Sequence, residues 1–515
     1  MSSDQPLFDI SKGAVLFGLG RILESALQFI AALAVIRYLN PAQYGLIALG
    51  QVVVSVTTAL ACFGSKGGIA RLISKYRALN DDEASGELIA STLFVLVLTS
   101  LAFCLILFFA ASAASEIFSK PGFDQVLGAF SFLVIPMVLM ETFAAIFRGM
   151  EMPVATVGMG SLVPSFFRAV ILVTFVAAGV SFKILLVAYV LATWLPLAIS
   201  AAYIARTVFS RYSLRFRGAR VREVVGFSIP LMGNEILSMA LIWIATLMIG
   251  YFGTSDDVAF FTAPYRLASF LGIPPAAFAL LTLPLATKAF CRNDFMELRA
   301  TFVFSTKWAS LLVVPPALFL ILDSQFVITI LLGEDYLIAA PCLRILGTGY
   351  FLGALYGVNA VALTACGMTR QILGGSVLAV LTTVGGILLL MPAHGIPAVA
   401  LSVAMAFVVS NTYRSGLLYW KYKIHFYTME YLKPLLFSIG GCFLISQVFT
   451  LSPADNILWH AVLLLLFLIA TALSPILTRS LTPNEIAVIQ SVLTRLGRNS
   501  RLCNYLSNTI NNRTV

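Results

Sequence analysis

Long apolar runs, separated by short polar or Gly/Pro-rich breaks, recur from one end of the chain to the other. A membrane-crossing helix needs about 20 predominantly apolar residues. Runs of that kind fall near 13–36, 45–63, 88–112, 125–147, 154–179, 184–205, 225–250, 258–286, 301–322, 336–364, 371–391, 396–419, 434–451 and 458–477. The pattern predicts an all-α polytopic membrane protein with about fourteen transmembrane helices. The runs at 258–286 and 336–364 exceed one crossing and predict a tilt or an interfacial turn. The first run is long and leads directly into a second, so it is expected to be a retained span and not a cleaved leader.

Composition changes the picture only by strengthening it. Of 515 residues, 60% are apolar and 11% charged, where a soluble domain has about 45–50% and about 25%. A net charge of +10 and a pI near 9.3 raise nucleic acid as a partner. In a membrane protein, however, Lys and Arg gather on the cytoplasmic side facing anionic headgroups. With the N-terminus inside, the inside loops collect most of the 33 cations, including Lys66, Arg71, Lys75 and Arg77, the run from Arg206 to Arg222, and Arg414, Lys421, Lys423 and Lys433. An even number of spans returns the C-terminus to the cytoplasm. The expected partners are membrane lipids, with no nucleic acid, and the expected location is the cytoplasmic membrane. The seven cysteines lack C-x-x-C spacing and read as small buried hydrophobes. No cofactor or metal is expected.

Two segments carry apolar residues on one helical face. Lys66–Leu79 places Ile69, Leu72, Ile73, Tyr76 and Leu79 on one side, and the tail repeats Ile486, Ile489, Leu493 and Leu496. Both are expected to lie as amphipathic helices on the inner leaflet.

A weak internal repeat runs through the chain. Tyr38 and Tyr251, Gly20 and Gly233, Lys75 and Lys288, and Asp81 and Asp294 are pairs at one constant separation. The order of helix, polar turn, helix and basic loop is the same in both copies. Six helices return the chain to its starting side, so the two six-helix repeats are parallel and should flank a central cleft. The expected division is an N-terminal bundle at 1–222, its repeat at 223–430, two additional helices at 431–478 and a cytoplasmic tail at 479–515.

Several segments, taken in order, resemble a known group. They are RYLNPAQYG at 37–45, FSIPLMGNEIL at 227–237, ILLGEDYLIAAPCLRIL at 330–346, LTACGMTRQIL at 363–373 and HGIPAVALSVA at 394–404. The chain resembles the polysaccharide flippases of the multidrug, oligosaccharidyl-lipid and polysaccharide exporter superfamily. The resemblance implies a non-enzymatic carrier that moves a lipid-linked oligosaccharide from the inner to the outer leaflet for surface polysaccharide biosynthesis. It also implies other polysaccharide-assembly membrane proteins as neighbours.

Charged residues inside the spans are the candidate chemistry. An ionised side chain at the bilayer centre costs about 2.5–3.5 kcal/mol on insertion scales, so such groups should face an interior. Arg21, Arg168, Arg266, Lys307 and Arg344 are the cations of this kind, and Glu24, Glu141 and Glu235 the anions. The cations suit a pyrophosphate-linked substrate, because guanidinium groups match phosphate oxygens bidentately. The bland alternative pairs them with the glutamates or lets them snorkel to headgroups. Glu24, Glu141 and Glu235, the last beside Asn234, are candidates for ion or proton coupling. Pro230, Pro274, Pro275, Pro284, Pro315 and Pro316 are candidate hinges.

Two other functions compete. A multidrug or cation antiporter on the same fold would favour acidic residues in its cavity, whereas cations dominate here. A membrane-embedded glycan polymerase needs acid/base groups on a sizeable outer loop. The expected outer loops, such as Ser115–Asp124 and Pro392–Gly395, are short.

Overall fold

A computed structural model describes residues 5–425, 427–450, 457–482 and Glu485; the side chains of 5–19, 21, 230, 231, 234, 235, 238, 241, 242 and 450 lie outside the description. Among the described residues all regular structure is helical. Eleven helices among the described residues are long and apolar enough to cross a membrane. Phe123–Ser131 and Val134–Gly149, bent by 41°, form a twelfth crossing if taken as one broken span. Each coincides with an expected run. The two remaining runs, 13–36 and 225–250, fall within the helices Gln5–Tyr38 and Gly218–Phe252, which contain the undescribed side chains. Large apolar side chains such as Phe109, Leu389 and Leu444 are exposed, as a hydrocarbon solvent allows and water does not.

The two long runs are interrupted, as their length requires. Ser255–Ser269 and Ile273–Cys291 are joined by a 3-10 turn at Phe270–Gly272. Ala340–Leu355 is preceded by a 3-10 turn and followed, after a break at Gly357, by Asn359–Ala365. Pro274 and Pro275 start the Ile273–Cys291 helix, where a missing N–H costs nothing, so they are not mid-helix hinges. Pro284, Pro315 and Pro316 do lie inside helices.

The chain separates into two compact units, interleaved in sequence. The first comprises the described residues through Ser269 together with Ser324–Leu346 and Leu373–Ser410. Its packing explains part of the RYLNPAQYG motif. Asn40 Oδ1 accepts from the Gln43 backbone N–H at 2.9 Å, and Pro41 follows in the first turn, a helix start built from the residues that favour one. Gly45 lets the Pro41–Cys62 helix pass the Ser255–Ser269 helix at close range, since an added Cβ would lie 1.8 Å from Ser255 O.

In the same unit, the segment expected to lie on the leaflet is the helix Ser65–Ala78, reached through left-handed Phe63 and Gly64. Its apolar face is not given to lipid. Ile69, Leu72, Ile73 and Tyr76 are buried within the protein. Ser74 Oγ donates to Gly149 O at 3.2 Å, and a Cβ on Gly149 would lie 2.8 Å from that of Ile73. An apolar stripe fits a helical neighbour as well as it fits acyl chains, so periodicity alone does not separate the two. The tail positions 486–496 lie outside the described residues.

The second unit comprises Phe270–Asp323, Gly347–Ile372 and the described residues from Asn411 onward. Phe302, Leu363, Tyr431 and Phe467 are among its buried core side chains. Gly357, at φ 63°, breaks the helix there, and a Cβ would collide with Thr306. Beyond the break, Asn359 Nδ2 donates to Asn411 Oδ1 at 3.2 Å and Ser415 Oγ at 3.1 Å.

Two of the paired repeat positions have matching local geometry. Asp81 accepts from Ala84 N, and Asp294 from Glu297 N, both at 2.9 Å. Each follows a left-handed asparagine, Asn80 at φ 55° and Asn293 at φ 57°.

Candidate functional site

Five helices of the first unit carry polar side chains into one neighbourhood. Arg168 sits on Val163–Ala177, which follows a π-helical turn at Gly158–Leu162; such turns often occur at functional sites. Arg266 ends the Ser255–Ser269 helix. Arg168 is within electrostatic reach of Arg266, Tyr189 and Glu24. Tyr189, only 6% exposed on Phe182–Ile204, faces both arginines and Tyr44 electrostatically.

Neutral amides hold the group together. Arg266 donates a short hydrogen bond to Gln51 Oε1. Gln28 Nε2 donates to Glu24 Oε1 at 3.1 Å and to Ser165 Oγ at 3.4 Å. Gln51 accepts a hydrogen bond from the guanidinium and, being neutral, leaves its charge uncancelled, as a carboxylate would not. The result is two like charges near each other in an apolar unit, with Glu24 as the carboxylate in electrostatic reach of Arg168. Such an arrangement stabilises a ligand bearing negative charge.

The sequence-predicted residues divide accordingly. Arg168, Arg266 and Glu24 are brought together. Arg344, in the same unit, is exposed and donates to Ser324 Oγ at 3.3 Å instead. Glu141 is ion-paired with Lys66 at 2.7 Å and accepts from Cys62 Sγ at 3.4 Å, so its charge is already answered. Arg21, Asn234 and Glu235 lie on the helices Gln5–Tyr38 and Gly218–Phe252, with their side chains outside the described residues.

Lys307 requires a correction. It is 2% exposed in the second unit. Its ammonium donates to both Glu485 carboxylate oxygens, at 3.0 and 2.8 Å, and to Ser480 O at 2.8 Å. Three donors meet three acceptors, leaving no charge to offer a substrate. Trp308 Nε1 also donates to Glu485, at 2.8 Å. Thr482 and Glu485 cap each other reciprocally, the Thr482 N–H to Glu485 Oε2 at 2.7 Å and the Glu485 N–H to Thr482 Oγ1 at 3.4 Å.

Counting charges alone missed Gln28, Gln51, Tyr189 and Ser165. Their signal was present: amides and hydroxyls set within apolar runs are themselves costly unless they face a polar group.

At the basic end of the first unit, outside the arginine group, Tyr76 donates to Glu223, with distances of 2.7 and 2.8 Å to its two oxygens. Arg220 bridges Glu87 and Glu223 at 3.1 Å each. Burial raises the Glu223 carboxyl, but hydrogen bonds from Tyr76 and Arg220, with the charges of Lys75 and Arg220, outweigh it and hold the group below the usual carboxylate range.

Comparison with solved structures places this fold. A lipid II flippase MurJ in an inward closed conformation superposes with a TM-score of 0.71 at 13% identity, covering 89% of this chain and 98% of that one. An inward-facing multidrug resistance MATE family transporter of the MOP superfamily gives 0.66 at 15% identity, over 78% of this chain and 94% of the other. A MOP superfamily transporter from Pyrococcus furiosus gives 0.56 at 14%, over 80% and 96%. No curated protein matches the sequence. The sequence profile described as polysaccharide biosynthesis protein matches residues 34–341. That match takes in more than half of the chain, which therefore belongs to the polysaccharide biosynthesis protein family, on the fold shared by the MurJ flippase and the MATE transporters.

Proposed function

We propose that this protein is a flippase that moves a lipid-linked, anionic oligosaccharide from the inner to the outer leaflet of the cytoplasmic membrane, for surface polysaccharide assembly. What supports the reading is the pair Arg168 and Arg266, two like charges within electrostatic reach of each other, with Arg266 held by neutral Gln51. A phosphate or pyrophosphate linker relieves that repulsion and takes bidentate hydrogen bonds from each guanidinium. Tyr189 and Gln28 add neutral polar groups for sugar hydroxyls. Family membership and the likeness to a lipid II flippase support the same reading.

Transport follows from alternating exposure of this site to the two faces, with two parallel repeats and both termini in the cytoplasm. A negatively charged cargo moving outward gains about 2.3 kcal/mol per charge per 100 mV. The membrane potential therefore favours export before any ion is coupled.

The likeness to a multidrug MATE transporter supports a second reading, a drug or cation exporter. The two are separated by charge, because two arginines beside one carboxylate leave a net positive site that repels a cationic drug.

The test is complementation of cells lacking the gene with wild type, Arg168→Ala, Arg266→Ala and the double variant, followed by measurement of surface polysaccharide and of the accumulated lipid-linked intermediate. Loss of polysaccharide with accumulation of the intermediate, at normal protein levels, is expected. Full export by the double variant refutes the assignment. Orientation is checked by cysteine labelling, with Glu116→Cys reactive from outside and Arg215→Cys only after permeabilisation, both being exposed positions.

A further inference from the structure

Between the span that ends at Phe209 and the helix Gly218–Phe252, residues 206–222 hold six arginines and no acidic residue. Within that stretch Ser213–Arg217 are not helical. They form a strap along the Asp82–Phe109 helix, on the face that carries Glu83, Glu87, Ser91 and Phe94 at helical spacing. The fit is close. An added Cβ on Gly86 would lie 2.4 Å from Ser213 O. Ser91 Oγ accepts from the Arg217 N–H at 2.9 Å and donates to the Arg217 carbonyl at 3.1 Å. Arg217 is extended, at φ −140° and ψ 116°.

The strap reaches into the apolar part of the helix. The Phe216 ring meets Phe94 edge to face, with centroids 4.8 Å apart, and both rings are exposed. Phe94 belongs to a membrane-crossing helix and lies about 18 Å along it from Asp82, at 1.5 Å per residue. The exposed faces of the two rings therefore meet acyl chains, while Arg215 and Arg217 flank Phe216 at the edge of the headgroup layer.

Their charge is only partly answered. Arg217 shares the Glu87 carboxylate with Arg220, at 3.2 and 3.1 Å. Arg215 stands 4.0 Å from Glu83. The side chains of Arg215 and Arg217 are 73% and 62% exposed, and Arg211 is exposed as well. Exposed guanidinium groups at that level take phosphate oxygens bidentately. A zwitterionic headgroup brings its own cation against them, and an anionic headgroup does not.

We infer that the strap Arg211–Arg217 binds an anionic phospholipid, with the phosphate on Arg215 and Arg217 and an acyl chain against Phe94 and Phe216. This site is separate from the Arg168 and Arg266 group and stands if that group binds no substrate.

Native mass spectrometry of the full-length, delipidated protein tests it, with phosphatidylglycerol and phosphatidylcholine of matched chains as the probes. Phosphatidylglycerol should bind in preference. The double variant Arg215→Gln with Arg217→Gln should weaken its binding by about tenfold or more, through lost hydrogen bonds to a charged group. Glu87 keeps Arg220 in that variant, so the fold should persist. Arg215→Lys with Arg217→Lys retains the charge without the planar fork and should recover part of the binding. Arg292→Gln with Arg370→Gln removes two exposed cations from the second unit and should leave it unchanged. Equal binding of phosphatidylcholine, or unchanged binding in the folded Arg215→Gln, Arg217→Gln protein, overturns the inference. An equal loss in the Arg292→Gln, Arg370→Gln protein also overturns it, by assigning the preference to general surface charge.

Discussion

The arginine group of the first unit and Lys307 of the second treat positive charge in opposite ways. In the first, Arg266 donates to neutral Gln51, and Arg168 lies within electrostatic reach of Arg266 and of Glu24, with no carboxylate among the described residues sealed against either arginine. In the second, Lys307 is sealed against Glu485 at 2% exposure on both sides. The first arrangement keeps two like charges close together, which the proposed anionic cargo would relieve; the second is complete without one. Residue type does not distinguish a binding cation from a structural one, and the partner does.

The largest expected effect tests the first half of that contrast. Arg266→Ala should abolish polysaccharide export, and Arg266→Lys should restore little of it, because an ammonium lacks the planar fork. Arg266→Glu, assayed by the same surface-polysaccharide measurement, should be at least as severe. Full activity in Arg266→Glu breaks the comparison.

Next in size is the second half. Glu485→Gln leaves an unanswered ammonium in the interior, a change that typically costs about 3–5 kcal/mol. Thermal denaturation of the purified protein should show a large drop. The double variant Lys307→Met with Glu485→Gln should recover most of it, and should still export polysaccharide. An export defect in a stable double variant would return Lys307 to the substrate site.

A smaller effect compares matched positions in the two units. Asp81→Ala and Asp294→Ala each remove a helix cap and should each cost about 1 kcal/mol. Comparable losses in denaturation midpoint would fit one local design used twice; a loss at one alone would separate them.

Smallest is the acid response of the Tyr76–Arg220–Glu223 network. The folded Glu223 carboxyl sits below its unfolded value of about 4.3. Its stabilisation is therefore present above that pH and is lost as pH falls through the lower, folded value. Midpoints measured from pH 6 down to pH 3 should fall less steeply in Glu223→Gln than in wild type.

Much of the fold was legible because hydropathy and helix starts are local. Twelve expected crossings reappear, and the Asn40-Pro41 start does what its residues favour. The site was legible only in part. Arg168 and Arg266 were visible as charges in apolar runs, but which cations are paired with a carboxylate depends on distant partners. Glu485 lies 178 positions from Lys307, and no spacing rule links them. The same limit applies to the Ser65–Ala78 helix, whose apolar stripe met protein in place of lipid.

The ion pair of Lys307 with Glu485 ties residue 485 to the helix Phe295–Leu322. A ribosome must pass codon 485 before the helix carrying Lys307 can settle in its final environment. Until then that helix holds a bare ammonium, which favours a position near water or headgroups. A chain stopped by a premature stop codon just after the Ile457–Leu477 span would have all the crossings found among the described residues yet lack this counterion. Such a product should be recognised by membrane proteases as unfinished, so that nonsense alleles between codons 477 and 485 behave as nulls.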